Sequence, residues 1–185
     1  MRTSRATRPR TAALTTTEFA VLTLLTVETQ YRAFSGYDLL KMAEKSVGYL
    51  WSPTKSHFYA VLPRLVERGF ATRRSAPGER GPERQLYRVT KRGARSARVW
   101  LEEPVSGDRE LFLVKVFYGG LMSREALAAH YRLFREERQA YLDDLLSIPN
   151  TRTGHDYYHY FLLRLGIEHA RLEIRWADET LEELE

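Results

Sequence analysis

The sequence predicts a mainly α protein with a small β-wing: an N-terminal winged helix-turn-helix followed by a C-terminal helical dimerisation domain. Three observations carry that expectation. From Trp51 to Arg88 a helical segment runs into Gly69, then a strand, a Gly/Pro/Arg-rich tip and a second strand. Charge divides along the chain: residues 1–100 hold 19 Lys and Arg against 7 Asp and Glu, whereas residues 101–185 hold 10 against 17. A basic half joined to an acidic half points to one part that meets a polyanion and one that avoids it. The last third of the chain carries helical patterns with two apolar stripes, more than one packing partner can cover.

The bulk numbers narrow the class. At 185 residues with 43% hydrophobic and 29% charged content, the chain suits a globular protein with one core or two small ones. The absence of cysteine excludes disulfides, thiolate metal sites and a cysteine nucleophile. No apolar run approaches the roughly 20 residues of a membrane span, and Glu18 interrupts the apolar stretch behind the N-terminal arginines. A cytoplasmic protein with no membrane partner is expected.

Residues 1–13 hold four arginines and no acid, and read as a disordered basic arm. Residues 14–103 are expected to form the DNA-binding domain. A first helix spans Thr15 to Glu28, capped by Thr15, Thr16 or Thr17, with Phe19, Val21, Leu22 and Leu25 as its buried stripe. Ser35 caps a second helix with Asp38 at its third position, ending near Gly48. Ser52 and Pro53 open a third helix, a capping residue followed by a first-turn proline. Phe58, Val61, Leu62, Leu65 and Val66 face inward on it. Thr54, Lys55, Ser56, His57, Ala60 and Arg64 lie outward, with Tyr59 at an edge, leaving a small polar face suited to a major groove. Pro63 removes the hydrogen bond to the Tyr59 carbonyl and is expected to kink this helix. Gly69 ends it.

Phe70 to Arg74 and Gln85 to Val89 read as paired strands. Arg73, Arg74, Arg80, Arg84 and Arg88 fall within 16 residues, opposed by Glu79 and Glu83. Phosphate contacts from such a wing supply affinity, and the helix face supplies sequence choice. Thr90 then caps a fourth helix. A winged helix used only for protein contacts is the alternative, which the arginines of the tip argue against.

Ordered together, several pieces resemble the PadR family of bacterial transcriptional regulators. They are Ser35-Gly36-Tyr37-Asp38-Leu39, Phe58-Tyr59-Ala60-Val61-Leu62-Pro63-Arg64-Leu65, Gly69, Arg84-Gln85-Leu86-Tyr87-Arg88-Val89-Thr90 and Gly93. The C-terminal half is similar to the family's subgroup with a long C-terminal region, through Glu110 to Phe117. The resemblance implies a homodimeric repressor that binds an inverted-repeat operator in double-stranded DNA and is released by a small effector. It brings Tyr37 into the candidate DNA contacts. Where Pro63 stands the family often carries a Lys or another exposed side chain, so either a phosphate contact is expected to be missing there or the helix to bend differently.

Residues 109–185 read as a dimerisation and effector domain. Arg109 to Gly119 is apolar all round. Ser123 caps a long helix to about Ser147, with Leu127, Tyr131, Phe134, Arg138, Tyr141 and Leu145 spaced as a coiled-coil seam. A last helix from about His155 repeats the spacing with Tyr158, Leu162, Leu165, His169, Leu172 and Trp176. Its second stripe is Tyr160, Leu163, Ile167 and Ile174. A second copy of the chain is the economical cover, so Leu162, Leu165, His169, Leu172 and Trp176 are candidate dimer residues. The aromatic richness of this half makes Trp100, Phe112, Tyr118 and Tyr158 candidates for an aromatic effector site.

Catalysis finds little support. No nucleophile elbow, Walker loop or GxGxxG occurs, and Ser56 and His57 are helix neighbours that do not face each other. His155 and His159 lie four apart, but HDYYH lacks the glutamate of a zinc-protease helix. A metal-dependent hydrolase is the weak alternative; no enzyme activity, metal or cofactor is expected.

Overall fold

The computed structural model describes residues 14–51, 53–77, 83–149 and 156–184. Among the described residues the chain is mainly helical, with one small three-stranded antiparallel sheet. The elements are α1 (Thr16–Glu28), β1 (Phe34–Ser35), α2 (Gly36–Lys45), α3 (Lys55–Glu67), β2 (Ala71–Ala76), β3 (Arg84–Val89), α4 (Lys91–Glu102), α5 (Arg109–Phe117), α6 (Arg124–Ser147) and α7 (Asp156–Leu184). The basic arm at residues 1–13, Ser52, Arg80 at the wing tip and His155 lie outside the described residues.

α1 is the central post of the N-terminal half. Thr15 caps it in a reciprocal box with Glu18, whose carboxylate also meets Arg68 of the α3 end at 3.4 Å. The expected one-sided stripe is too narrow. Ala20, Val21, Leu22, Thr23, Leu24, Leu25 and Thr26 are all buried, because α2, α3, α4 and β3 surround the helix. Buried threonines are tolerated there because their hydroxyls donate to carbonyls one turn back: Thr23 to Phe19 at 2.9 Å and Thr26 to Leu22 at 2.8 Å. Thr29 adds the same bond to Leu25 and accepts from the Val89 amide at 2.9 Å, tying the returning strand to the post.

Ser35 caps α2 as expected, and the Asp38 carboxylate also accepts from the Ser35 amide, which completes a second capping box. α2 stops at Lys45, earlier than expected, and a 3-10 turn at Val47–Tyr49 follows. α3 starts at Lys55, not at Ser52-Pro53, because the Thr54 hydroxyl accepts from the His57 amide at 3.3 Å and caps it there. Pro63 sits inside α3, which continues unbroken to Glu67. Gly69 closes the helix with φ +73, a conformation that favours glycine, while the Phe70 amide reaches the Leu65 carbonyl at 2.8 Å.

β2 and β3 pair from Ala71↔Val89 to Ala76↔Arg84, and β1, two residues long and not foreseen, adds Phe34↔Tyr87 and Ser35↔Leu86 on the other side of β3. α4 then approaches the sheet so closely that a Cβ at Gly93 would sit 2.1 Å from the Phe70 carbonyl oxygen.

In the C-terminal half, α5 lays Phe112 against Tyr131, Phe134 and Trp176, with the Phe112 and Phe134 rings stacked 4.1 Å apart. Apolar all round proves inexact for α5: Phe117 is exposed and Lys115 is buried. Glu173 of α7 is buried between Arg109 of α5, which donates to it, and Arg138 of α6 at 3.8 Å. A second small core joins the two halves: Ala20 of α1, Val47, Leu101 of α4, and Val114 and Tyr118 of the α5 region. Among the described residues no helix is long and apolar enough to cross a membrane.

Candidate nucleic-acid interface

The outward side of α3 is polar along its first half. Thr54, Lys55, Ser56, His57, Tyr59 and Arg64 are all exposed, while Phe58, Val61, Leu62 and Leu65 hold the helix to the core. α2 abuts it tightly: a Cβ at Gly36 would meet the Tyr59 ring at 3.0 Å and Leu62 at 3.1 Å. That approach sets the exposed Tyr37 beside the reading face. Lys41 lies 5.9 Å from the Tyr37 ring centre and 2.7 Å from Glu44, and Glu44 comes within 3.9 Å of Lys55. The α2 and α3 side chains therefore form one continuous polar surface. The Lys41–Glu44 pair is partly exposed, and the Glu44 hydrogen bond raises the lysine pKa.

Strand pairing sorts the wing arginines. Residues opposite each other in an antiparallel pair share a face. The pairs Thr72↔Arg88, Arg74↔Leu86 and Ala76↔Arg84 put Arg74, Arg84 and Arg88 on one face. Arg73 pairs with Tyr87 and shares its face, and is exposed where Tyr87 is buried in the core. Arg88 is steadied by donating to the Gln30 carbonyl at 2.9 Å.

Two open grooves flank Arg32. One, about 440 Å³, runs between α2 and the sheet and is lined by Arg32, Phe34, Lys41, Lys45, Arg84 and Leu86, with Asp38 as its acid. The other, about 510 Å³, is lined by Tyr31, Arg32, Arg73, Arg74, Leu86 and Arg88. The Arg32 guanidinium lies 4.4 Å over the Phe34 ring, which fixes it at the ridge between them. Grooves walled by cations with an apolar floor suit a phosphodiester backbone. Sequence reasoning missed Arg32 and Lys45. Arg32 joins the wing through β1, whose two residues leave no strand pattern to read, and Lys45 lines the same groove from the end of α2.

Residues 21–99 match the family model described as transcriptional regulator PadR-like family, and residues 109–185 match the one described as virulence activator alpha C-term. Residues 21–99 are a PadR-like transcriptional regulator domain. Among its relatives is the negative transcriptional regulator PadR of Bacillus subtilis, 25% identical over 89% of this chain and 94% of that protein. A probable transcriptional regulator of Mycobacterium tuberculosis is 28% identical over 83% of this chain and 92% of that one. Among solved structures, Bacillus subtilis PadR in complex with operator DNA is 23% identical with a TM-score of 0.45, covering 94% of this chain and 100% of that one.

The remaining candidates of this PadR-like chain fall into separate places. Leu162, Leu165, His169 and Leu172 line an exposed side of α7, with Leu162 at 70% and Leu165 at 66% exposure. Trp176 instead packs inside the chain on Phe112, Tyr131 and Phe134. The four effector candidates are not all brought together. Trp100, stacked on Phe19 of α1, packs against the core between the halves to which Tyr118 belongs, whereas Phe112 is in the C-terminal core and Tyr158 is exposed on α7. The Tyr118 hydroxyl is buried with no hydrogen-bond partner among the described residues. Burial, and then the Glu28 carboxylate, push its pKa up. His159 is exposed on α7.

Proposed function

We propose that this DNA-binding regulator acts as a homodimeric repressor in the cytoplasm, reading an inverted-repeat operator. The observation that carries the reading is the continuity of the α3 face with the two cation-lined grooves beside Arg32. Thr54, Lys55, Ser56, His57, Tyr59 and Arg64 meet base edges and adjoining phosphates, with Tyr37 beside them. Arg73, Arg74, Arg84 and, at the tip, Arg80 hold the backbone, joined by Arg32, Lys45 and Arg88. Residues 14–103 serve as the reader, residues 1–13 as an accessory basic arm, and residues 109–185 as the dimer and effector part.

The dimer reading rests on α7. An exposed side rich in leucine on a 29-residue helix leaves apolar surface in water that a second copy removes. Leu162, Leu165, His169 and Leu172 form that contact, and Trp176 supports it from behind. A small aromatic effector fits the joint between the halves near Trp100 and Tyr118, where a buried hydroxyl awaits a polar partner. Bacillus subtilis PadR has been solved with p-coumaric acid, a molecule of that class.

A footprint on the DNA flanking the chain's own coding region tests the reading. Two protected half-sites about one helical turn apart are expected, along with a dimer in sedimentation. Binding that ignores sequence, or a monomer at micromolar concentration, would sink it. Titration of tryptophan emission with phenolic acids tests the effector; no response to any of them removes it.

A further inference from the structure

The last turn of α4 is closed from outside. A helix leaves its final carbonyls without partners, and they must be met by water, by a cap or by another part of the chain. Here Lys115 of α5 donates to the Trp100 carbonyl and to the Glu103 carbonyl, both at 2.6 Å. His130 of α6 sits with Nε2 2.7 Å from the Leu101 carbonyl. A carbonyl only accepts, so Nε2 carries the proton. Burial holds the ring below its ordinary pKa, and the Lys115 charge adds to that. Both side chains are cut off from water, Lys115 at 3% exposure and His130 at 1%. The Lys115 ammonium also lies 4.6 Å from the centre of the Trp100 ring, which stacks flat on Phe19 of α1 at 5.1 Å. The contact thus runs from α5 and α6 through the end of α4 into the central post of the reader.

Apolar burial holds surfaces together without fixing their angle, because it has no direction. Hydrogen bonds lose strength quickly when bent or stretched. Three directed bonds from two helices onto one helix end therefore define an angle that the surrounding core of Val47, Val114 and Leu101 alone does not. Burying an ammonium is costly, and leucine or methionine fills such a space without that cost. The bonds that Lys115 makes are what an apolar residue cannot supply.

We propose that Lys115 and His130 are positioning residues that lock the reader at a fixed angle to α5–α7 and so set the operator spacing the dimer accepts. This rests on the dimeric operator reading above. Turning a lever of about 20 Å by about 10° moves its tip by roughly 3.5 Å, close to one base-pair step. A loosened clamp therefore costs spacing selectivity before it costs contact with DNA.

The chain has no cysteine, so spin labels can be placed on Ser75→Cys and Arg132→Cys, both exposed positions, one on the wing and one on α6. Labelled chains diluted tenfold with unlabelled ones report the distance within one protomer. The wild-type background is expected to give one narrow distance, and Lys115→Met a broad one. On operators whose half-sites are moved apart or together by one and two base pairs, Lys115→Met is expected to lose at least tenfold of its preference for the native spacing. Its affinity for an unrelated duplex should stay within twofold. Lys115→Gln, which keeps a donor, should show part of both effects and is the variant to read should Lys115→Met not fold. His130→Phe should broaden the distance, and His130→Gln should restore it. An unchanged narrow distance in the folded variants, an intact spacing preference, or an equal loss on every DNA overturns the proposal. A wild type with no spacing preference overturns the operator reading instead, while the distances still decide whether the clamp fixes the angle.

Discussion

Arg74 is the wing cation whose removal is most informative. It is exposed, stands opposite Leu86, and shares its sheet face with Arg84 and Arg88, so Arg74→Ala removes one charge while leaving the strand pairing in place. A cation on a phosphate releases about 0.9 counterion, and the dimer presents Arg74 twice. The slope of log affinity against log salt should therefore become shallower by about 1.8. Over a fourfold rise in salt, from about 50 to about 200 mM, the wild type should lose roughly twelvefold more affinity than the variant. Fluorescence anisotropy with labelled operator and with a scrambled duplex measures both slopes. The loss should be alike on the two DNAs, because phosphates carry no sequence information. Arg124→Ala is the comparison: that guanidinium is engaged by the Glu183 and Leu184 carbonyls at the end of α7, and its loss should leave both slopes alone. An unchanged slope in Arg74→Ala, or a loss confined to the operator, would refute the placement of phosphate along this sheet face.

Three further outcomes follow from the packing. Leu162→Asp with Leu165→Asp should turn the dimer into a folded monomer in sedimentation, with unchanged helical circular dichroism and at least hundredfold weaker operator binding; a persisting dimer removes α7 as the interface. Gly93→Ala forces a methyl to within 2.1 Å of the Phe70 oxygen, so α4 and β2 must separate, at a cost of about 1–3 kcal/mol; an unchanged urea midpoint contradicts that close approach. Burial brings Lys115 down to about 8 from an ordinary 10.5, opposed weakly by Glu103. Between those values the unfolded chain keeps a proton that the folded chain has lost, so wild-type stability relative to Lys115→Met should rise with pH across that window, by about 3–4 kcal/mol in all, and stay flat below it. Urea unfolding from pH 7 to pH 10 reads this, and a difference that falls as pH rises shows that the buried ammonium is held more firmly than the unfolded one.

What was legible in the sequence was what neighbours decide. Ser35 ahead of Asp38 and Gly69 after Arg68 act within one helical turn, so spacing alone reveals a capped start and a stop. Spacing misplaces the start of α3 at Ser52-Pro53 because a serine before a proline resembles a cap, whereas Thr54 holds the His57 amide. The polar face of α3 is equally local, since the helix period separates Ser56 and Arg64 from Phe58 and Leu65. The burial of α1 on all sides was hidden because Thr23 and Thr26 look like surface residues until their hydroxyls are seen bonding back into the helix. Arg32 was hidden for a different reason: only the Phe34↔Tyr87 and Ser35↔Leu86 pairs, more than fifty residues apart in sequence, bring it beside Arg84.

Lys115 marks the limit of such reading. Within Leu111 to Met122 it looks like a charge interrupting an apolar run, and helix periodicity gives it no role. Its partners are carbonyl oxygens, and backbone atoms leave no trace in side-chain pattern. The Trp100 and Glu103 carbonyls are exposed as acceptors only because α4 ends at Glu102, and that end lies against α5 only because Leu101 and Val114 share a core with Ala20 and Val47. The same reasoning explains why the two stripes of α7 could be seen yet not assigned. Periodicity shows that two faces are apolar, but not which one the rest of the chain covers. Trp176, in register with Leu162 and Leu172, is drawn into the core by Phe112 of α5. The leucines before it stay exposed, and they carry the case for a second copy.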